Sequence, residues 1–269
     1  MKSQPAIFAL LLVASCRAQT DRLGAVSPAG QQVQPAITES LDAGLRQLVS
    51  SLSPDIESCR SLLRSGANPN CRSGPLDRSV LLLAVLRADT SGKGRPRDEK
   101  KTQQWAEIIS LLLEAGANPN REYKDIDGCA DWQPLAVAVA HDLKSVVELL
   151  LQHRADVNHV NHNNHYNLGI TALEVAARDG NVAMMKLLVK AGANVNLGDY
   201  KPMHLAARGG YIEAMEYLLS CKADPNAMNE HGQTPLGYAE ELYNARFPGE
   251  DQARQLKKTM EFLRSNGGR

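Results

Sequence analysis

The chain has 269 residues, and its 30 basic and 30 acidic side chains give a formal net charge of zero at pH 7. A protein that binds nucleic acid needs a basic face that displaces counterions from phosphates, and this balance argues against that class. Aromatic residues make up only 4% of the chain, so the places where they gather are informative.

The first 18 residues have the pattern of an export signal. Lys2 supplies a positive charge at the start, and Ala6 to Ala14 form an apolar run of nine residues. A helix that spans a membrane needs about twenty such residues, so this run is too short for that purpose. The segment is therefore predicted to be a secretion signal.

The end of this signal, Val13-Ala14-Ser15-Cys16, resembles a bacterial lipobox. The resemblance implies a lipoprotein signal peptide over residues 1–15 and a lipid attached to Cys16. Arg17 stands where an acidic residue would retain the protein at the inner membrane. The resemblance therefore implies an outer-membrane lipoprotein that faces the periplasm. The alternative is ordinary cleavage after Ala18, which would discard Cys16.

Residues 16–40 are rich in Gln, Pro, Ala, Gly and Ser and contain few bulky side chains. Such a segment cannot bury enough apolar surface to order itself. It is predicted to be a flexible tether that lets an anchored domain search for a partner near the membrane.

A repeated unit fills residues 41–269, and its clearest copy is TALEVAARDGNVAMMKLLVKAGANVN at residues 171–196. Small and apolar residues share one face of a first helix, and Gly180-Asn181 suits a tight turn. The second helix carries a wide apolar stripe and ends at Gly192. A helix pair this small cannot bury its own apolar face, so it must stack on neighbouring copies.

The period of the unit is regular. A TPLHLA-like hexapeptide starts at Gln133, Thr171, Lys201 and Thr234. In three units the closing Asn follows 25 residues later (158 − 133, 196 − 171 and 226 − 201). A weaker copy from Ser79 carries a 16-residue insert, residues 89–104, which is predicted to be a polar loop between two helices.

This pattern resembles the ankyrin repeat. The resemblance implies an all-α ankyrin-repeat solenoid of about six helix–turn–helix units joined by hairpin fingers. It also implies that the domain binds another protein. His204 stands at the histidine of the TPLH-type element, so it is predicted to be a hydrogen-bonded structural residue.

The fingers, which run from the closing Asn to the next hexapeptide, differ in length. The last one takes eight residues (234 − 226), but two neighbouring fingers take thirteen (133 − 120 and 171 − 158), and the next takes five (201 − 196). Loops on a rigid scaffold usually carry the binding groups, so the two extended fingers are predicted to do so here.

The candidate partner-binding residues are aromatic, acidic and histidine side chains of the fingers and two arginines of successive first helices. They are Tyr123, Asp125, Trp132, His162, Tyr166, Arg178, Asp199, Tyr200, Arg208 and His231. Exposed Tyr and Trp are the usual anchors of interfaces, and Arg can bond bidentately to the carboxylates of an acidic partner. The alternative is that the aromatic residues only pack the fingers against each other.

Metal binding is a weaker interpretation of the same fingers. His159, His162 and His165 could be ligands, but the asparagines between them disfavour the helix that would align them. Asp125 and Asp127 resemble part of a calcium loop whose other ligands are missing. No metal, cofactor or enzyme activity is predicted, because the sequence contains no G-x-S-x-G, H-E-x-x-H or phosphate-binding loop.

The five cysteines contain no C-x-x-C pair, which argues against a zinc or thioredoxin-type site. Cys59 falls in the apolar column of the second helices and is predicted to be a buried thiol. Cys71 and Cys129 lie in loops of adjacent units, and the sequence leaves a disulfide between them open.

An anchored periplasmic repeat protein resembles the immunity partners of antibacterial toxins delivered by type VI secretion, including phospholipase effectors. That resemblance implies a protein that blocks a secreted toxin. The alternatives are an ankyrin chaperone or scaffold for a periplasmic enzyme such as a catalase, and a metal- or calcium-binding envelope protein. Contact with the membrane is predicted only through the lipid, and the sequence does not fix the oligomeric state.

Overall fold

The computed structural model describes residues 35–73, 78–90, 96–121, 123–124, 131–163, 168–245 and 250–269. Its helices are α1 (Pro35–Ser50), α2 (Ile56–Arg64), α3 (Val80–Ala88), α4 (Glu99–Glu114), α5 (Pro134–Ala140), α6 (Lys144–Gln152), α7 (Ala172–Arg178), α8 (Val182–Lys190), α9 (Lys201–Gly209), α10 (Ile212–Ser220), α11 (Pro235–Ala245) and α12 (Glu250–Ser265). Its strands are β1 (Arg72–Ser73), β2 (Arg78–Ser79), β3 (Tyr123–Lys124), β4 (Asp131–Trp132), β5 (Asn161–Asn163) and β6 (Leu168–Ile170). By its internal contacts the chain divides into two compact units, Met1–Lys124 and Asp125–Arg269.

The first unit is built from α1 to α4. Helix α1 packs on α2 and α3, and both α2 and α3 pack on α4. The predicted apolar face of α1 is confirmed, because Leu41, Leu45, Leu48 and Val49 are buried. The helix begins at Pro35, before the predicted start of the repeat domain at residue 41. Proline suits the first turn of a helix, where its missing N–H would have no partner.

The insert of the second repeat is helical at its end rather than entirely a loop. Helix α4 begins at Glu99, so residues 99–104 add to the helix. The Asp98 carboxylate caps it by accepting a hydrogen bond from the Lys101 backbone N–H at 3.1 Å. The added residues, EKKTQQ, contain no Gly or Pro, and Trp105 buries the helix against the core.

The second unit is a stack of helix pairs. The first helices of its repeats, α5, α7, α9 and α11, contact one another in that order. We call them the inner helices, and we call the helices that follow them (α6, α8, α10 and α12) the outer helices. The predicted apolar column of the second helices is confirmed, because Val147, Met185 and Met215 are fully buried. Leu188, predicted to lie in the core, is fully buried too, as are its equivalents Leu150 and Leu218.

A row of closing asparagines ties successive repeats together. The Asn158 side chain donates to the Gly192 carbonyl at 3.1 Å and accepts from the Asn194 backbone N–H at 2.8 Å. Equivalent bonds are made by Asn70 with Gly116 and Asn118, by Asn196 with Asp224, and by Asn226 with Gly267 and Arg269. At these four positions, the residues that mark the period in the sequence therefore also bond to the segment that follows in the stack.

The fingers contain short antiparallel hairpins. Strand β1 pairs with β2, and β5 pairs with β6 in the extended finger that follows Asn158. The predicted turn glycines are confirmed, because Gly180 and Gly192 have φ values of 65° and 96°, which L-residues rarely adopt. Within the described ranges, no helix is long and apolar enough to cross a membrane.

The described cysteines are free thiols. Cys59 is buried as predicted, and burial raises the pKa of its thiol to about 12. Cys71 is also buried and free, and burial raises its pKa to about 11. Cys129, with which the sequence leaves a disulfide open, lies outside the described residues.

Candidate partner-binding surface

A buried carboxylate at the start of α7 positions the candidate surface. Glu174 has 0% exposed surface. Its Oε2 accepts hydrogen bonds from the Thr171 backbone N–H at 2.7 Å and from the Thr171 hydroxyl at 2.9 Å, in a reciprocal capping box. Its Oε1 accepts from the Tyr200 backbone N–H at 3.1 Å. Glu174 therefore ties the start of α7 to the finger of the next repeat.

Burial controls both the charge of Glu174 and the residue allowed beside it. Desolvation raises the pKa of Glu174 to about 7, although the bonds from Thr171 and Tyr200 oppose the rise. Gly198 packs against the carboxylate, and a Cβ at Gly198 would lie 1.8 Å from Oε2. With a φ of 101° as well, this position accepts only glycine without strain.

Asp199, one of the candidate binding residues, bonds within the protein. Its carboxylate accepts a short hydrogen bond from the Gly169 backbone N–H, and its own N–H donates to the Gly169 carbonyl at 3.3 Å. Its carbonyl accepts from the Glu230 backbone N–H at 3.1 Å. Asp199 thus joins β6 to the following finger, which gives it a positioning role.

Tyr200 lies at the centre of a group of side chains from successive repeats. Its hydroxyl is 3.3 Å from His231 Nε2, and its ring centroid is 5.8 Å from that of His231 and 5.5 Å from that of Tyr238. Burial raises the pKa of Tyr200, and the nearby charge of Arg208 opposes the rise. We call Tyr200, Arg208, His231 and Tyr238 the Tyr200 cluster. Arg208 and His231 are exposed, and the two tyrosines are half-buried.

His204 is a buried residue next to the Tyr200 cluster. It has 0% exposed surface, and its Nε2 lies 2.8 Å from the Gln233 carbonyl, so this nitrogen must carry the proton and donate. Burial lowers the pKa of His204 to about 4, so the ring is neutral at neutral pH. Its ring centroid is 6.2 Å from that of Tyr238. The predicted structural role of His204 is confirmed.

The two arginines that the sequence groups together differ in their partners. Arg178 and Arg208 occupy equivalent, exposed positions on α7 and α9. Arg178 Nε donates to Asp179 Oδ1 at 3.0 Å and its Nη2 to Oδ2 at 3.4 Å. Arg208 is followed by Gly209, and it makes no hydrogen bond or ion pair within the part of the chain that the structure describes.

The remaining candidate residues belong to the extended fingers. Trp132 lies in β4 and is half-buried, Tyr123 lies in β3, and the backbone of His162 pairs with Gly169 in the β5–β6 hairpin. Asp125, Tyr166 and the proposed lipidation residue Cys16 lie outside the described residues. The role of these fingers in binding stays a prediction.

Metal ligation has no candidate cluster among the described side chains. The described residues contain no group of three or more His, Cys, Asp or Glu that could hold a metal ion. His165, Asp125 and Asp127, which the sequence singles out for metal binding, lie outside the described ranges.

Comparison with known families identifies the repeat. A family model described as ankyrin repeats (3 copies) matches residues 158–229 and 173–245, and one described as ankyrin repeat matches residues 131–162. The fold is an ankyrin-repeat solenoid. Ankyrin repeats present extended binding surfaces, and protein binding is the class of function that the sequence predicts.

Individual relatives match this chain over parts of its length. Ankyrin repeat and KH domain-containing protein mask-1 of Caenorhabditis elegans is 36% identical over 177 residues, which is 63% of this chain and 6% of that protein. Protein phosphatase 1 regulatory subunit 12A of Mus musculus is 42% identical over 95 residues, 31% of this chain and 9% of that protein. Protein phosphatase 1 regulatory subunit 27 of Homo sapiens is 40% identical over 70 residues, 25% of this chain and 46% of that protein. The chain thus spans less than half the length of each of these relatives.

Tyr238 is the site residue that the sequence interpretation missed. It is the fifth residue of the last hexapeptide, TPLGYA, where Val137, Val175 and Leu205 stand in earlier repeats. An aromatic, hydroxyl-bearing residue in an otherwise aliphatic column was the available signal. Tyr238 lies on the inner helix α11, and its ring packs beside the ring of Tyr200.

Proposed function

We propose that the chain binds one protein partner through the Tyr200 cluster and the neighbouring fingers. The observation that carries this proposal is the cluster itself, in which two tyrosines, a histidine and an arginine share one accessible surface. The bonds of Glu174 and His204 hold this surface in place before any partner arrives. A preformed aromatic surface of this kind loses little conformational entropy on binding, which favours affinity.

The proposed partner is an enzyme whose activity the chain controls without catalysing a reaction itself. Two of the relatives are named as regulatory subunits of a protein phosphatase, and this supports a role as the non-catalytic partner of an enzyme.

The more specific proposal is an immunity protein of the bacterial envelope. The export signal and the lipobox-like Val13-Ala14-Ser15-Cys16 support an outer-membrane lipoprotein that faces the periplasm. There it would neutralise an antibacterial effector of type VI secretion, such as a phospholipase, by covering its active site. Since α1 begins at Pro35, the tether between the lipid and the first repeat would run from residue 16 to residue 34.

The binding surface is tested by capture and titration. Wild type, Tyr200→Ala and Tyr217→Ala are immobilised, incubated with envelope extract, and the captured protein is then titrated in purified form. Tyr217 is the matched control, because it is a half-buried tyrosine of the outer helix α10 that packs near Lys186. Tyr200→Ala is expected to weaken binding by about 2 kcal/mol, and Tyr217→Ala to leave it unchanged. Equal affinities for all three proteins would place the interface elsewhere.

The captured enzyme also separates immunity from the alternative role. An immunity protein abolishes the activity of its partner at a one-to-one ratio and protects cells that express the toxin. A chaperone or scaffold, for example for a periplasmic catalase, leaves the activity intact or raises it. One assay of the activity of the captured enzyme, with and without the chain, therefore distinguishes the two roles.

The anchor is tested by replacing Cys16 with Ser. This substitution removes the thiol that would carry the lipid, so the protein should leave the membrane fraction and lose the mass of the lipid. Fractionation and mass identical to those of wild type would exclude lipidation at Cys16.

A further inference from the structure

Arg178 and Arg208 occupy the same position in successive repeats, but only Arg178 has a carboxylate partner among the described residues. The carboxylate of Asp179 holds the Arg178 guanidinium through two hydrogen bonds, at 3.0 and 3.4 Å. At the equivalent place beside Arg208 the chain has Gly209, which supplies no carboxylate. Among the described residues, no carboxylate forms an ion pair with Arg208.

The acidic side chains around the Tyr200 cluster are already engaged. Glu230 lies 3.5 Å from His231 Nε2, and Glu241 accepts a short hydrogen bond from the Gln233 side-chain amide. Glu240 forms an ion pair with Arg264 at 2.6 Å. These carboxylates therefore have partners other than Arg208 within the protein.

The surroundings of Arg208 favour a single carboxylate over a polyanion. A guanidinium presents a planar pair of N–H donors that matches the two oxygens of a carboxylate. Glu230 and Glu241 both act electrostatically on Tyr200, so a phosphate dianion or a nucleic-acid backbone would be repelled here more strongly than the single charge of a carboxylate. The rings of Tyr200 and Tyr238 add apolar area beside the charge.

We propose that Arg208 receives one carboxylate of the partner protein, from an Asp or Glu side chain, while the rings of Tyr200 and Tyr238 pack against the apolar residue next to it. This inference rests on the proposed function, since it specifies the chemistry recognised by the same surface. It assigns no partner contact to Arg178, whose charge Asp179 satisfies.

The test uses a library of random peptides displayed on phage as the probe. The purified full chain is used as wild type, Arg208→Gln, Arg178→Gln and the double variant Tyr200→Ala/Tyr238→Ala. Both arginines are exposed, so Arg178→Gln is the matched control for loss of a surface charge, and thermal melts of all variants check that they fold. Wild type and Arg178→Gln should enrich peptides that carry Asp or Glu beside an aromatic or aliphatic residue. Arg208→Gln should lose the preference for the acid.

A synthetic peptide from the enriched set then separates recognition from folding. Exchanging its acid for the amide (Glu to Gln, or Asp to Asn) should weaken binding to wild type roughly tenfold or more and should have no further effect on Arg208→Gln. Enriched peptides without acidic residues, or an acid-to-amide effect that persists in Arg208→Gln, would overturn the carboxylate site and leave the protein-binding surface standing. Failure to enrich any peptide over the double tyrosine variant would overturn the surface itself and the carboxylate site with it.

Discussion

Two successive repeats, which begin at Thr171 and Lys201, place opposite chemistry at the same buried position. The fourth residue of the hexapeptide is Glu174 in one and His204 in the other, and both are fully buried. Glu174 accepts from the backbone N–H of Tyr200, whereas His204 donates to the backbone carbonyl of Gln233. In these two repeats the fourth side chain bonds to the next finger, whereas Ala136 and Gly237 stand at this position in two other repeats. The type of residue therefore decides whether the bond forms and how it responds to pH.

The outer helices offer the strongest test of how alike these two repeats are. Leu188 and Leu218 occupy the same fully buried position on α8 and α10. Each substitution by Ala should lower the free energy of unfolding by roughly 2–5 kcal/mol, because it removes buried methyl groups and leaves a cavity. Denaturant unfolding of both variants measures the loss. An unchanged transition for either one would contradict its place in the core.

Gly198→Ala should destabilise the repeat that begins at Thr171, because Gly198 packs against Glu174. The added Cβ would collide with the Glu174 carboxylate at a φ that already disfavours alanine, so we expect a loss of roughly 3 kcal/mol. Gly192→Ala is the control, because φ is 96° there and a Cβ would meet nothing within 4 Å. Its cost should be only the backbone strain of roughly 1–2 kcal/mol. Similar losses for both would show that Glu174 does not fill the space beside Gly198.

The dependence of stability on pH should distinguish Glu174 from His204 in sign. The folded pKa of Glu174, about 7, lies above its unfolded value, so its contribution is fully present at low pH and is lost as pH rises through 7. The folded pKa of His204, about 4, lies below its unfolded value, so its contribution is present above pH 6.5 and is lost as pH falls through 4. Each effect is on the order of 3 kcal/mol.

Two substitutions separate these opposing contributions. Glu174→Gln should make the protein lose stability more steeply as the pH falls from 6.5 to 4, because His204 alone then titrates. His204→Gln should leave a protein that loses stability as the pH rises from 4.5 to 7, because Glu174 alone then titrates. Unfolding curves at a series of pH values measure both slopes. Parallel pH profiles for the two variants would contradict the assigned protonation states.

The smallest expected effect concerns the fingers outside these two repeats. If the extended fingers contribute an anchor, Trp132→Ala should weaken partner binding by about 2 kcal/mol with little change in stability, the same loss of binding that is expected for Tyr200→Ala. The measurement is a titration with the captured partner beside thermal melts of both variants. Binding equal to that of wild type would confine the interface to the Tyr200 cluster.

Local patterns made much of the fold predictable. The apolar columns that contain Leu150, Leu188 and Leu218, and the turn at Gly180, follow from helical spacing and backbone preference. The insert was predicted less well, because Asp98 and a run of good helix formers extend α4 into what the sequence presents as a polar loop.

The site was harder to predict, because its decisive bonds link residues that are far apart in the sequence. The contact between Asp199 and Gly169 crosses thirty residues, and nothing local shows that the Asp199 carboxylate is occupied. The difference between Arg178 and Arg208 could have been noticed from their neighbours, Asp179 and Gly209. Whether a neighbouring acid folds back onto its arginine nevertheless depends on side-chain geometry that periodicity does not contain.

The row of closing asparagines gives the stack its own set of local reporters. Each link holds a backbone amide of the next repeat, such as Asn194 on Asn158 or Asp224 on Asn196. The proton on such an amide exchanges with solvent deuterium only when that pair of repeats separates or the bond opens. Exchange rates at these amides would therefore rank the described junctions by the free energy needed to open each one. The junction with the fastest exchange would be the one expected to separate first on heating.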